Sequence, residues 1–295
     1  MSAPLTPPIS HYFTVDVEEY FQVNAFESKI SRDDWDKWPT RLDENLPPLL
    51  DLLEQYGARG TFFVLGWVAE RMPALVRRIA AAGHEVASHG HWHRRVPTLT
   101  REQFRDDIRR SKQALEDVTG QTVHGFRAPS FSILPGFEWA FDALLDEGYR
   151  YDSSLFPIRR RGYGYPSAPR AAHVLQRPNG RLAEFPLATR TFGRLALPAA
   201  GGGYLRQFPF GIVRGAFRAA AGRGTPATFY IHPWEIDPDQ PRIDVSLVTR
   251  IRHYRGLSST LGRIQRLLTE FRFSPILPDV DHVLGAGIPA ASANR

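Results

Sequence analysis

The 295-residue sequence has no cysteine, and only three of its 37 basic residues are lysine (Lys29, Lys37 and Lys112). Without thiols there are no disulfides, thiolate zinc sites, iron–sulfur clusters or cysteine nucleophiles. Any metal must therefore be held by histidine, carboxylate or water. No uninterrupted apolar run approaches the roughly 20 residues of a membrane-spanning helix. Residues 1–10, MSAPLTPPIS, lack the basic and apolar regions of a signal peptide, which makes a cytoplasmic location the expectation. No period of about 20–50 residues repeats, which disfavours solenoids and propellers.

What is present is the composition of a folded protein, 42% hydrophobic and 23% charged. A chain of this length buries roughly three quarters of its unfolded surface, enough for one large α/β domain or two smaller ones. The net charge of +6 conceals a division. Residues 1–156 carry 17 basic and 23 acidic groups, and residues 157–295 carry 20 and 8. The basic half reads first as an arginine-rich solvated surface. Its second reading is attraction to phosphate, an acidic glycan or a membrane surface.

Short apolar runs alternate with helical patterns. HYFTVDV (11–17), TFFVLG (61–66), EVASH (85–89), VHGF (123–126), YRYD (149–152), EFPLAT (184–189) and ATFYIH (227–232) read as strands. Helices are expected near 43–56, with Pro47 and Pro48 in the first turn, and from Pro73 to Gly83. A third runs from the Thr100/Gln103 capping box to Gly120, and others lie near 137–147, 210–221, 246–255 and 259–271. Residues 157–183 read as a long irregular connection. The alternation implies parallel βαβ units in a barrel or a doubly wound sheet.

In such folds the C-terminal ends of the strands converge on one face, where active sites sit. Strand ends here carry Asp16, Glu18 and Glu19, then His89 to His93, Arg127, Asp152 and His232. His89 and His93 stand at i and i+4, the spacing by which two imidazoles on one side of a helical turn reach one divalent ion, while His91 points elsewhere. On an extended backbone Asp16 and Glu18 share a face and Val17 packs behind. One carboxylate can complete a two-histidine metal site and the other can act as a base. Of the aromatics flanking these motifs, Trp92, Tyr204 and Trp234 are the candidates for stacking on sugar faces. The cluster GGGY (201–204) permits a close backbone approach but lacks the lysine and hydroxyl of a phosphate loop.

TVDVEEYF, GHEVASHGHWH, GFRAPSF, GYRYDSSLFP and YIHPWEI, in this order, resemble the five motifs of the polysaccharide deacetylase (NodB-homology) family. They look most like the sub-group of exopolysaccharide and exosortase (PEP-CTERM) loci. The resemblance covers residues 11–235 and implies a distorted (β/α) barrel of about seven strands. A helical extension over 236–280 would pack on it, and 281–295 would form a flexible tail.

The activity implied is metal-dependent removal of N-acetyl groups from amino sugars of a bacterial exopolysaccharide or its lipid-linked precursor. By resemblance, Asp16 is the general base and His232 the general acid. Arg127 pairs with the base, Ser130 gives a backbone N–H to the oxyanion, and Asp152 orients the acid. His89 and His93 bind the metal, zinc before cobalt, nickel or manganese. Val17 replaces the second of two adjacent Asp in the usual motif, so the third ligand is Glu18, with Glu19 as the fallback. The competing readings are a metal-independent amidohydrolase of the same fold on a small C–N substrate, and a non-catalytic glycan-binding module. A nucleic-acid or membrane-surface binder driven by the basic half is the third, and no nucleic-acid motif supports it.

Overall fold

The computed structural model describes residues 9–160, 162–193 and 195–286. Its elements, in chain order, are β1 (Ser10–Val17), α1 (Leu42–Gln55), β2 (Thr61–Val64), α2 (Gly66–Arg71), α3 (Pro73–Ala81), β3 (Glu85–Ser88) and α4 (Arg101–Thr119). There follow β4 (Gly125–Phe126), α5 (Trp139–Asp146), β5 (Tyr151–Asp152), β6 (His173–Arg177), β7 (Gly180–Glu184), β8 (Thr189–Phe192), β9 (Leu195–Pro198), α6 (Gly202–Gln207) and α7 (Phe210–Ala221). The chain closes with β10 (Thr228–Ile231), α8 (Leu247–Tyr254), α9 (Thr260–Glu270), β11 (Arg272–Ser274) and α10 (Leu277–Gly285).

Seven strands lie parallel in the order β10-β1-β2-β3-β4-β5-β7, and β6 adds to the β7 edge as an antiparallel hairpin. Strands β1 and β2 are almost wholly buried, as parallel strands covered on both sides must be; β1 sets Phe13, Val15 and Val17 on one face and Tyr12, Thr14 and Asp16 on the other. The expected barrel does not close by continuous pairing. Past β7 the chain meets β10 at two isolated parallel bridges among the described residues, Leu187 with Thr228 and Gly201 with Tyr230.

The 157–183 segment is more ordered than its composition suggests. The turn at Pro178–Asn179 folds β6 against β7, and β7 enters the sheet beside β5 with Leu182 and Ala183 buried. The C-terminal extension is not purely helical, because β11 pairs with β1. Helix α10 buries Val280 and Val283 and runs to Gly285, into the span expected as a tail. Residues 287–295 of that tail lie outside the described residues.

Local rules account for the best-read helices. Thr100 and Gln103 form the reciprocal capping box of α4, and Gly120 ends it in the left-handed conformation (φ 67°). Helix α1 differs, for it begins early enough that Pro47 and Pro48 fall in its second turn. Its cap comes from elsewhere in the chain: the Glu19 carboxylate accepts the Arg41 and Leu42 N–H groups at 2.8 and 3.1 Å.

At Gly125 a Cβ would lie 1.9 Å from the Tyr151 ring. Gly125→Ala is therefore expected to cost about 1–3 kcal/mol or more in urea unfolding, since a packed interior cannot absorb that overlap.

His11 and His84 are buried as neutral acceptors, taking the Ala227 and Gly60 N–H groups, and burial lowers each to about 4. The unfolded chain binds these protons first, near pH 6.5. The stability that the two histidines contribute is present above that pH and is lost as pH falls toward 4. The urea midpoint is expected to drop between pH 7 and 5, by at most about 1.4 kcal/mol per pH unit for each histidine.

Candidate active site

The loops after β1, β3, β4 and β10 meet at one end of the sheet, around a cleft of about 420 Å³ lined by Asp16, Glu18, His89, His93, Ser130 and His232, among others. As the strand alternation requires, Asp16 and Glu18 both face it while Val17 sits in the core.

Arg127, fully buried at the end of β4, organises the floor. Its Nη1 donates to Asp16 Oδ1 and Thr14 Oγ1, both at 2.7 Å, and its Nε and Nη2 donate to the Ser153 carbonyl and hydroxyl. Its own carbonyl lies 2.9 Å from His89 Nδ1. A carbonyl only accepts, so His89 carries its proton on Nδ1 and Nε2 is left as a lone-pair donor.

One oxygen or imidazole nitrogen from each of Glu18, His89 and His93 lies within 4.8 Å of the others, and all three residues are buried. Trp234 Nε1 donates to Glu18 Oε1 at 3.2 Å, while Glu18 Oε2 has no hydrogen bond among the described residues and stands 2.6 Å from His93 Nε2. Burial alone would raise the Glu18 carboxyl, but His93, His232 and His89 outweigh it and hold the group below the usual carboxylate range. This set of two imidazoles and one ionised carboxylate fits a divalent ion such as zinc. Glu19 does not reach it. Burial pushes its carboxyl up to about 7 while it caps α1.

The two histidines do not ride on a helical turn. Gly90 (φ 75°) and His93 (φ 49°) shape a loop, and the buried Asp107 carboxylate holds it through the His91 and Trp92 N–H groups at 2.7 and 3.2 Å. His91 packs away beside Gly66 and Trp92.

His232 Nε2 faces Asp16 Oδ2 at 3.9 Å and Glu18 Oε1 at 3.6 Å, and its Nδ1 lies 3.0 Å from Glu235 Oε2. Burial opposes its charge, yet Glu18, Glu235 and Asp16 prevail and raise it to about 9. The carboxylate that holds this imidazole is therefore Glu235 and not Asp152. Asp152 accepts from the Ser154 N–H and hydroxyl, and burial raises it beside Glu184. Glu235 was not singled out from the sequence, although it stands three residues after His232 within YIHPWEI. It is locked by Arg206, whose Nε and Nη2 donate to its Oε1 at 3.0 and 2.9 Å. GGGY makes room for it, because a Cβ on Gly202 would fall 2.1 Å from Glu235 Oε2.

Ser130 lines the cleft with a left-handed backbone (φ 54°), and its hydroxyl accepts from Asn24 Nδ2 at 2.7 Å. Tyr204 and Trp234 line the cleft too. Trp234 is stacked between His232 and His253 and serves Glu18, so little of its face is open to a sugar. Trp92 is not in the cleft and lies against His91, Trp35 and Arg110.

Residues 33–140 match the family model described as polysaccharide deacetylase, and residues 153–278 match a domain of unknown function (DUF3473). A peptidoglycan-N-acetylglucosamine deacetylase of Bacillus cereus is 33% identical over 98 residues, 33% of this chain and 36% of that protein. A peptidoglycan deacetylase of Helicobacter pylori is 33% identical over 112 residues, 37% of this chain and 36% of that protein. This chain thus spans about a third of the length of each relative. Across its full length the fold is similar to the crystal structure of a candidate polysaccharide deacetylase from Mycobacterium smegmatis, with TM-score 0.65 at 21% identity, covering 98% of that chain. The polysaccharide deacetylase model covers 108 of this chain's 295 residues. Among the described residues, no helix is long and apolar enough to cross a membrane.

Metal-free protein incubated with Zn²⁺ is expected to take up about one ion per chain by elemental analysis, as a three-ligand site implies. Glu18→Ala or His89→Ala should abolish that uptake and Glu19→Gln should leave it intact.

Proposed function

We propose that the protein is a metal-dependent hydrolase that removes N-acetyl groups from amino-sugar units of a bacterial exopolysaccharide or its precursor. The observation that carries this reading is the convergence of Asp16, His232 and the Glu18–His89–His93 group on one cleft. The relatives' named activity supports an N-acetylated glycan, and the motif resemblance favours an exopolysaccharide over peptidoglycan. The catalytic unit spans residues 11–235, and the 236–280 segment adds Thr249, Arg252 and His253 to the cleft wall.

A divalent ion held by Glu18, His89 and His93, zinc before cobalt, nickel or manganese, supplies when bound a Lewis acid and a lowered pKa for water. Asp16, fixed through Oδ1 by Arg127, takes the proton of the attacking water. The water oxygen bonds to the acetyl carbon, and the Ser130 N–H stabilises the oxyanion of the adduct, a contribution of about 3–4 kcal/mol for such a donor. His232, oriented by Glu235, delivers its proton to the nitrogen as the carbon–nitrogen bond breaks. Acetate and a free sugar amine leave.

Acetate release from N-acetylated oligosaccharides tests this. Asp16→Asn is expected to lose roughly 10²–10⁴ in kcat with metal content unchanged and a lowered melting temperature, since the buried Arg127 loses its charged partner. An Asn variant as active as the parent, or full activity in metal-free protein, would overturn the mechanism.

A further inference from the structure

The cleft is lined by three carboxylates, and each is already engaged. Asp16 is held by Arg127, Glu18 by His93 and Trp234, and Glu235 by Arg206 and His232. Two further guanidiniums line the same cleft from its exposed side, Arg160 and Arg252, and neither forms an ion pair among the described residues. They flank a pair of hydroxyls: Tyr163 and Tyr204 are hydrogen-bonded to each other, and the Arg160 Cζ stands 5.5 Å from the Tyr163 ring. Burial raises the Tyr204 hydroxyl, while Arg160 and Arg252 both act to lower it, so both charges bear on the same point.

Arg252 is held in place by its neighbours. Its carbonyl accepts from Gln207 Nε2 at 3.1 Å and from Arg206 Nη2 at 3.4 Å, and the adjacent His253 is buried and stacked on Trp234 with ring centroids 4.2 Å apart. The backbone of Arg252 is thus fixed on the wall that also holds the proposed acid through Glu235 and Arg206, and its exposed side chain reaches the cleft from there.

We infer that Arg160 and Arg252, with the Tyr163–Tyr204 pair, form an anion-binding subsite that receives a carboxylate or phosphate group of the glycan beside the acetylated sugar. Two unpaired guanidiniums facing a cleft whose own acids are all neutralised leave a local positive charge that a neutral sugar does not satisfy. Arginine's planar fork suits both anionic oxygens. The inference rests on reading the cleft as a glycan site. It goes further in naming an anionic glycan, either one containing a uronate or one ending in the phosphate of a carrier.

The test uses three length-matched N-acetylated oligosaccharides, one neutral, one with a uronate neighbour and one phosphate-terminated. The wild-type protein should show a KM at least roughly tenfold lower for one of the anionic substrates than for the neutral one. That advantage should shrink as salt rises, since exposed charges are screened. Arg252→Gln and Arg160→Gln should remove the advantage through a KM that rises for the anionic substrates, and Arg252→Lys should restore part of it. Whether the uronate or the phosphate substrate gains identifies the anion.

Binding of the same anionic oligosaccharides to Asp16→Asn by calorimetry gives a readout independent of turnover. Loss of that binding in Asp16→Asn/Arg252→Gln supports the subsite even where no substrate is hydrolysed, in which case the deacetylase reading alone fails. Equal KM for neutral and anionic substrates in the wild type, or an advantage that survives both single variants, overturns the subsite.

Discussion

The buried guanidinium of Arg127 is the point through which the cleft end of the sheet is assembled. Removing such a charge from water is costly unless every donor finds a partner. Here the partners are Asp16, Thr14 and Ser153, with the face of Phe63 4.1 Å from Cζ. Those contacts join the ends of β1, β4 and β5. The same residue's carbonyl then fixes the tautomer of His89. One residue therefore presents the proposed base and sets which nitrogen the proposed metal ligand His89 offers to the cleft, so its side-chain and backbone geometry bear on both.

A second tier of support comes from residues that hold the cleft groups in place. Asp107 holds the loop carrying His91 and Trp92, Trp234 turns Glu18 so that Oε2 faces the histidines, and the Arg206–Glu235 pair holds His232. These are buried polar groups whose bonds are nearly all satisfied within the chain, which is the condition for holding a geometry without reorganisation. The site also draws on both segments recognised by family models. His89, His93 and Arg127 lie in the deacetylase match, whereas His232, Trp234 and Glu235 lie in the domain of unknown function. The continuous sheet makes the two segments one structural unit.

What the sequence made legible was whatever depends on local spacing. The alternation of β1 placed Asp16 and Glu18 on one face, the Thr100/Gln103 box and Gly120 bounded α4, and the strand ends brought Asp16, Glu18, His89, His93, Arg127 and His232 together. What it hid depends on contacts distant in the chain. That Glu19 caps α1 instead of meeting a metal is decided by where Arg41 and Leu42 arrive. That Asp152 turns to Ser154 and Glu184 while Glu235 takes the imidazole is decided by the packing of α6 against β10. Trp92 sits in a recognisable motif, but the turn imposed by Asp107 points it away from the cleft. The hairpin β6–β7 was masked by glycine, proline and arginine around it, because its burial comes only from docking on β5.

Strand β1 is the first element of the chain, yet its neighbours on the sheet include β10 and β11, from the last quarter of the sequence. A ribosome makes the chain from the amino end at roughly 5–20 residues per second. For tens of seconds, then, a strand destined for almost full burial has β2 on one side and nothing on the other. Non-local pairing of this kind is slow to form and exposes unpaired edges while it waits. The nascent chain is therefore a natural client for holding chaperones, and the groups of the cleft cannot all meet until β10 has been made.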